Sequence, residues 1–147
     1  MKENELMLGD WVLWHDKGWA SDGKQCEETR RCQIISIREC GFSVEWTDED
    51  GFCDVENNVF DEDVEPIPLT SEILEKNGWK DISFDSEADY YNDDVAMMSF
   101  YEGKDGNAWW WHIGLELAAP INYVHELQHI LKLFKIDKEI QLDPNGE

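Results

Sequence analysis

From Phe42 to Trp46 the chain alternates apolar and polar residues one for one. Phe42, Val44 and Trp46 fall on one side of an extended backbone, and Ser43 and Glu45 on the other. A period of two is the signature of a strand with one buried face, so this stretch excludes an all-helical fold. Similar short stretches surround it. Leu8-Gly9-Asp10-Trp11-Val12-Leu13-Trp14 opens with a turn signal and continues in aromatic and β-branched residues. Cys32 to Arg38 is the next strand, Gly41 breaks it, Asp48-Glu49-Asp50-Gly51 is a hairpin turn, and Phe52 to Val55 returns. His15 to Gln25, with Gly18 and Gly23, reads as a loop. Strands of this length and rhythm predict a small barrel or a strongly bent sheet. The Gly-Asp-Trp-Val start followed by short strands suggests an SH3-like barrel, a fold-level analogy that carries no ligand with it.

Val64-Glu65-Pro66-Ile67-Pro68-Leu69 follows, and two prolines at alternate positions force an extended path. The boundary between two halves is placed here: residues 1–66 as the SH3-like β-barrel half and 67–147 as an α+β half. In the second half Thr70 or Ser71 caps a helix over about 70–78, which Asn77-Gly78 stops. Trp79 is expected to fold back on that helix. Strands follow over about 81–117, with Val95–Tyr101 and Asn107–Leu117 as partners about a turn at Glu102–Gly106. Pro120 suits the first turn of a last helix over about 120–135. Ile121, Val124, Leu127, Leu131 and Phe134 recur at three and four, one apolar stripe. Asp137 to Glu147 reads as a frayed tail. The expected class is α+β: a barrel, then a helix–antiparallel strands–helix unit.

Composition bounds the partners. Of 147 residues 34 are acidic and 12 are Lys or Arg, for a net charge of −22. A chain this acidic repels nucleic-acid phosphate and anionic membrane surfaces, and attracts basic proteins or cations. Met1–Asp10 is polar, which predicts no secretory signal, and no apolar run reaches the length of a membrane helix. A cytoplasmic protein with reduced thiols is expected. Cys26, Cys32, Cys40 and Cys53 contain no C-x-x-C pair and read as buried or half-buried residues. From Glu45 to Glu65 there are ten acids and no Lys or Arg. A solvated surface is the plain reading of that run. Mimicry of nucleic-acid charge by an inhibitor of a DNA-binding protein, and weak cation binding, are its rivals.

One chemical motif stands out. His125-Glu126-Leu127-Gln128-His129 spells H-E-x-x-H on the last helix. Two histidines at i and i+4 can share a zinc ion, with the glutamate as general base on a zinc-bound water. At about 100° per residue both histidines fall roughly opposite the apolar stripe. A catalytic zinc needs a third protein ligand, and the sequence nominates none: Lys135 stands where a further histidine would be, and little chain follows. Zinc, with His125 and His129 as ligands and Glu126 as catalytic base, belongs to this alternative alone. The preferred reading has no cofactor and no catalytic residue.

Three stretches together resemble a known group of proteins. They are Leu-Gly-Asp-Trp-Val near the start, Pro66 to Trp79 in the middle, and Ile-Asn-Tyr-Val-His-Glu-Leu-Gln-His near the end. The chain looks like the short proteins of Bacteroides-group gut bacteria, their phages and mobile elements. The resemblance implies no established activity. It implies that Tyr123, His125 and Gln128 belong to a structural pattern, with Glu126 and His129 as variable positions on a docking helix. It implies a bacterial, phage or mobile-element context.

Eight tryptophans are many for this length, and most are expected in the core. Trp14 and Trp19 flank the predicted loop and are placed to line a groove. Trp110 and His112 share the strand face opposite Trp109 and Trp111. These four are the candidate partner-binding residues, since exposed aromatics serve as anchors for protein partners. The resulting expectation is a non-enzymatic interaction protein whose partner is another protein, with a basic one favoured by charge.

Overall fold

The computed structural model describes residues 5–19, 22–81, 89–91, 99–102, 109–113 and 116–143, and only the backbone of Trp19 and of those within 81–120. The chain divides into two units, Met1–Ile67 with Leu142–Glu147, and Pro68–Gln141. Each unit carries a five-stranded antiparallel sheet and the second adds two helices, which makes the protein α+β.

The first sheet contains β1 (Trp11–Trp19), β2 (Gln25–Arg38), β3 (Gly41–Thr47), β4 (Cys53–Val59) and β5 (Val64–Pro66). Their order is β4-β3-β2-β1-β5. A 3-10 turn over Asp61–Asp63 leads from β4 to β5. Ahead of β1, Gly9 takes a φ of 89° and donates its N–H to the Ile34 carbonyl at 2.7 Å. The buried Asp10 carboxylate accepts from the Met7 N–H at 2.7 Å, so the Gly-Asp pair closes the turn that launches β1.

Alternation then builds the core. Val12 faces Cys32 and Ile34 faces Val44 across the ladders. Leu6, Trp14, Phe42, Val59 and Val64 complete the cluster. Burying each large apolar side chain is worth about 1.5–3 kcal/mol. Register shifts between Ile34 and Ser36 and between Phe42 and Val44 bend the sheet. Arg38 clamps that bend. Its guanidinium donates to Ser43 Oγ at 2.7 Å, to the Phe42 carbonyl at 3.3 Å and to the Asn57 carbonyl.

Two expectations for this half are corrected. The sheet is open and not a closed barrel, because β4 and β5 are its two edges and no ladder among the described residues joins them. The segment expected as a loop from His15 to Gln25 is largely strand. β1 runs through Gly18 to Trp19, with Gly18 opposite Cys26 and Trp19 opposite Gln25. Cross-strand pairing outweighed the glycine signal there.

In the second unit α1 (Ser71–Lys76) is capped by Thr70, whose hydroxyl accepts from the Ile73 N–H at 3.3 Å. Gly78, at a φ of 91°, donates to the Glu75 carbonyl, and Trp79 donates to that of Leu74. This pair of bonds is the Schellman closure, and it turns the buried Trp79 back on the helix as expected. A meander follows: β6 (Lys80–Asp81), β7 (Asp89–Tyr91), β8 (Ser99–Glu102), β9 (Trp109–Ile113) and β10 (Glu116–Ile121), in sheet order. The expected turn within Glu102–Gly106 and most of the Val95–Tyr101 strand lie outside the described residues.

The single strand predicted over Asn107–Leu117 is two, since Glu116 pairs back on Ile113. Leu117 therefore belongs to β10. Pro120 stands in β10, opposite Trp110, and not in a helix: β10 is at the edge of its sheet, where proline is tolerated. The last helix, α2 (Val124–Leu133), begins four residues later. Ile121, Val124, Leu127 and Leu131 are buried as the stripe requires, whereas Phe134 at its C-cap is 41% exposed.

The tail is not frayed where it is described. Asn77 donates to the Gln141 carbonyl at 2.9 Å and accepts the Gln141 N–H at 2.7 Å, and Ile140 and Leu142 are buried.

Candidate functional site

Above the core of the first sheet, successive rungs of the β1–β2 ladder change character. Val12 pairs with Cys32, then Trp14 with Arg30, then Asp16 with Glu28. Residues two apart on a strand share a face, so an apolar core grades into an aromatic rung and then a carboxylate rung. The Trp14 and Trp46 rings lie 5.1 Å apart at 50°. The Arg30 guanidinium carbon sits 5.2 Å from the centroid of Trp46. Its Nε is 3.7 Å from an Asp16 carboxylate oxygen, and its Nη2 donates to Glu28. A cation over an indole at such a partly exposed position is worth about 0.5–1 kcal/mol.

On the other side stands the β3–β4 turn. The Asp48 carboxylate accepts the N–H groups of Asp50 at 3.0 Å and Phe52 at 2.9 Å. Gly51 takes a φ of 85° to let the chain return. A groove of about 690 Å³ lies between this turn and the β1–β2 arm. Leu13, Trp46 and Thr47 line it, with Glu28, Thr29, Arg30 and Arg31 from β2 and Asp48, Glu49 and Asp50 from the turn. Four carboxylates thus face two guanidiniums. Arg31, whose pKa burial lowers, donates to the Asp143 carbonyl at 3.3 Å. Chemically the groove offers an aromatic wall and fixed negative charge, which suits a cationic ligand.

Within H-E-x-x-H, Glu126 serves the start of α2. Glu126 is the third residue of α2, and its Oε1 accepts the N–H groups of Asn122 and Tyr123, both at 3.1 Å. Its carboxylate therefore turns back to cap the helix, accepting the N–H of the N-cap Tyr123 and that of Asn122 before it. His125 is only 7% exposed, which corrects its expected place opposite the buried stripe. Val124, Leu127 and Gln128 are buried with it, so the packed face of α2 is wider than the apolar stripe. Tyr123 stacks on the His125 ring at 5.9 Å, and His129 meets it edge-on at 5.5 Å. Among the described residues, no group of three His, Cys, Asp or Glu side chains is placed to hold a metal ion.

Of the four partner-binding candidates, Trp14 is buried at 6% and serves the core, so it is a support for Trp46 and not a free anchor. The side chains of Trp19, Trp110 and His112 lie outside the described residues. Trp46 and Arg30 were missed. The available signal was Trp46 ending an alternating strand just before an acidic turn. The cysteines also differ from expectation: Cys32 is buried, but Cys26, Cys40 and Cys53 are exposed thiols.

No helix among the described residues is long and apolar enough to cross a membrane. No family model matches this chain, and comparison with curated proteins and with solved structures finds no significant match.

Proposed function

We propose that this is a non-enzymatic interaction protein whose first sheet binds an extended basic segment of another protein. The observation that carries this reading is the groove between the β1–β2 arm and the β3–β4 turn, with Trp46 in its wall and Glu28, Asp48, Glu49 and Asp50 around it. Charge complementarity of this kind speeds encounter and selects partners by sign. The strand order, with a 3-10 turn before a fifth strand that pairs with the first, supports an SH3-type reading of the sheet. The resemblance to short proteins of Bacteroides-group bacteria, their phages and mobile elements supports a bacterial cytoplasmic setting.

The test is binding of a labelled, extended Arg/Ser nonapeptide, followed by fluorescence anisotropy beside its Glu/Ser counterpart. Reversal of two groove acids, Glu49→Lys with Asp50→Lys, is expected to weaken binding at least tenfold. Reversal of two acids elsewhere, Glu75→Lys with Glu139→Lys, makes the same change in net charge and is expected to have a small effect. Equal losses in the two pairs would mean that the peptide reads net charge and not the groove, and the proposal would fall.

A further inference from the structure

We infer that the face of Trp46 is a guanidinium seat that Arg30 occupies in cis, and that an arginine of the partner binds by displacing it. The inference rests on the groove reading above and adds the ligand group and the way the site is held closed. Three groups hold the Arg30 cation: the indole of Trp46 at 5.2 Å, the Asp16 carboxylate at 3.7 Å from Nε, and the Glu28 carboxylate at Nη2. They match a planar fork that stacks on one side and donates at its edges. An ammonium lacks both the plane and the fork, so the seat favours arginine over lysine. Trp46 is itself backed by Trp14, so its ring has a fixed support.

The cis occupant is exchangeable. The Arg30 side chain is 30% exposed and the Glu28 side chain 61%, so the Nη2–Glu28 contact faces solvent and is weak, whereas Nε is buried near Asp16 and is freed only when the side chain rotates out. Arg30 is tied into the sheet by backbone pairing opposite Trp14, which a rotation of the side chain leaves intact. Glu28, Arg30 and Trp46 all line the groove, so the seat opens where an incoming chain would lie. The acids of the β3–β4 turn line the same groove and supply the attraction that brings a basic segment in.

The experiment uses the full chain and an extended Gly/Ser peptide carrying one arginine, beside the same peptide with lysine. The unmodified protein is expected to bind the arginine peptide more tightly than the lysine peptide. Arg30→Gln, which keeps most of the side-chain stem, is expected to bind the arginine peptide about two- to fivefold more tightly than the unmodified protein. In the unmodified protein, the Arg30 Nε–H resonance is expected to shift as the peptide saturates the site; this readout does not depend on the folding of a variant. If the unmodified protein binds but Arg30→Gln binds equally or more weakly, and the resonance stays in place, Arg30 is a wall of the groove. The displacement inference then falls while the groove reading stands. If neither protein binds either peptide, both fall together.

Discussion

Cys32 sits on the rung beneath Arg30, fully buried in the first core. Burial pushes its thiol from 9.0 up to about 12; the Arg30 charge opposes that rise and the Asp16 charge adds to it. The folded state therefore keeps this proton over a range in which the unfolded chain releases it. Stability linked to Cys32 is intact below pH 9 and is lost as pH rises toward about 12. Urea midpoints measured from pH 8 upward should fall more steeply for the unmodified protein than for Cys32→Ala. Parallel curves would show that the thiol is not protonated by burial as described. Cys53 is exposed, and its thiol is also raised, by local desolvation first, then by the charge and hydrogen bond of Glu45 and the charge of Asp54. Of the four thiols, Cys32 is the buried one.

In α2, the glutamate of H-E-x-x-H also answers to helix chemistry. A glutamate at the third helical position is favoured because its carboxylate can reach the open N–H groups behind it. Glu126 does this for Asn122 and Tyr123. Glu126→Ala should destabilise the second unit by about 1 kcal/mol, the usual cost of a lost cap. Measured by urea denaturation, the loss should be the same with and without a chelator. A loss that vanished when metal was removed would instead return Glu126 to a metal site. On the first sheet, Gly41 plays a comparable local role. Its φ of 142° and the Val59 carbonyl, 2.5 Å from where a Cβ would stand, leave no room for a side chain between β2 and β3.

For the whole molecule, the charge of −22 sets the conditions of stability. Some acids are paired: Asp63 lies 3.7 Å from Lys17 Nζ, and Glu65 lies 3.1 Å from His15 Nε2. With nearly three acids per Lys or Arg, most carboxylates still repel one another in the folded chain. Raising the ionic strength from about 0.01 M to about 0.15 M shortens the screening length from about 30 Å to about 8 Å. The thermal midpoint should therefore rise with added sodium chloride over that range, as read by circular dichroism. A flat or falling midpoint would mean that the acids are already compensated within the fold.

The sequence by itself determined the local features. Period-two alternation marked β3, Asp48 to Gly51 marked its turn, and Thr70 with Asn77-Gly78 bounded α1, because these signals act between residues a few positions apart. The proposed partner-binding groove was only half legible: Trp14 was in view, but its role was assigned to the surface. Tertiary structure decided that Trp14 lies under Trp46, that Arg30 covers the Trp46 ring, and that Asn77 holds Gln141. It also decided that the glycine-bearing arm pairs as strands and that Pro120 ends a sheet and does not start a helix. Each of these depends on a partner distant in sequence, and no local propensity encodes which partner the sheet brings alongside.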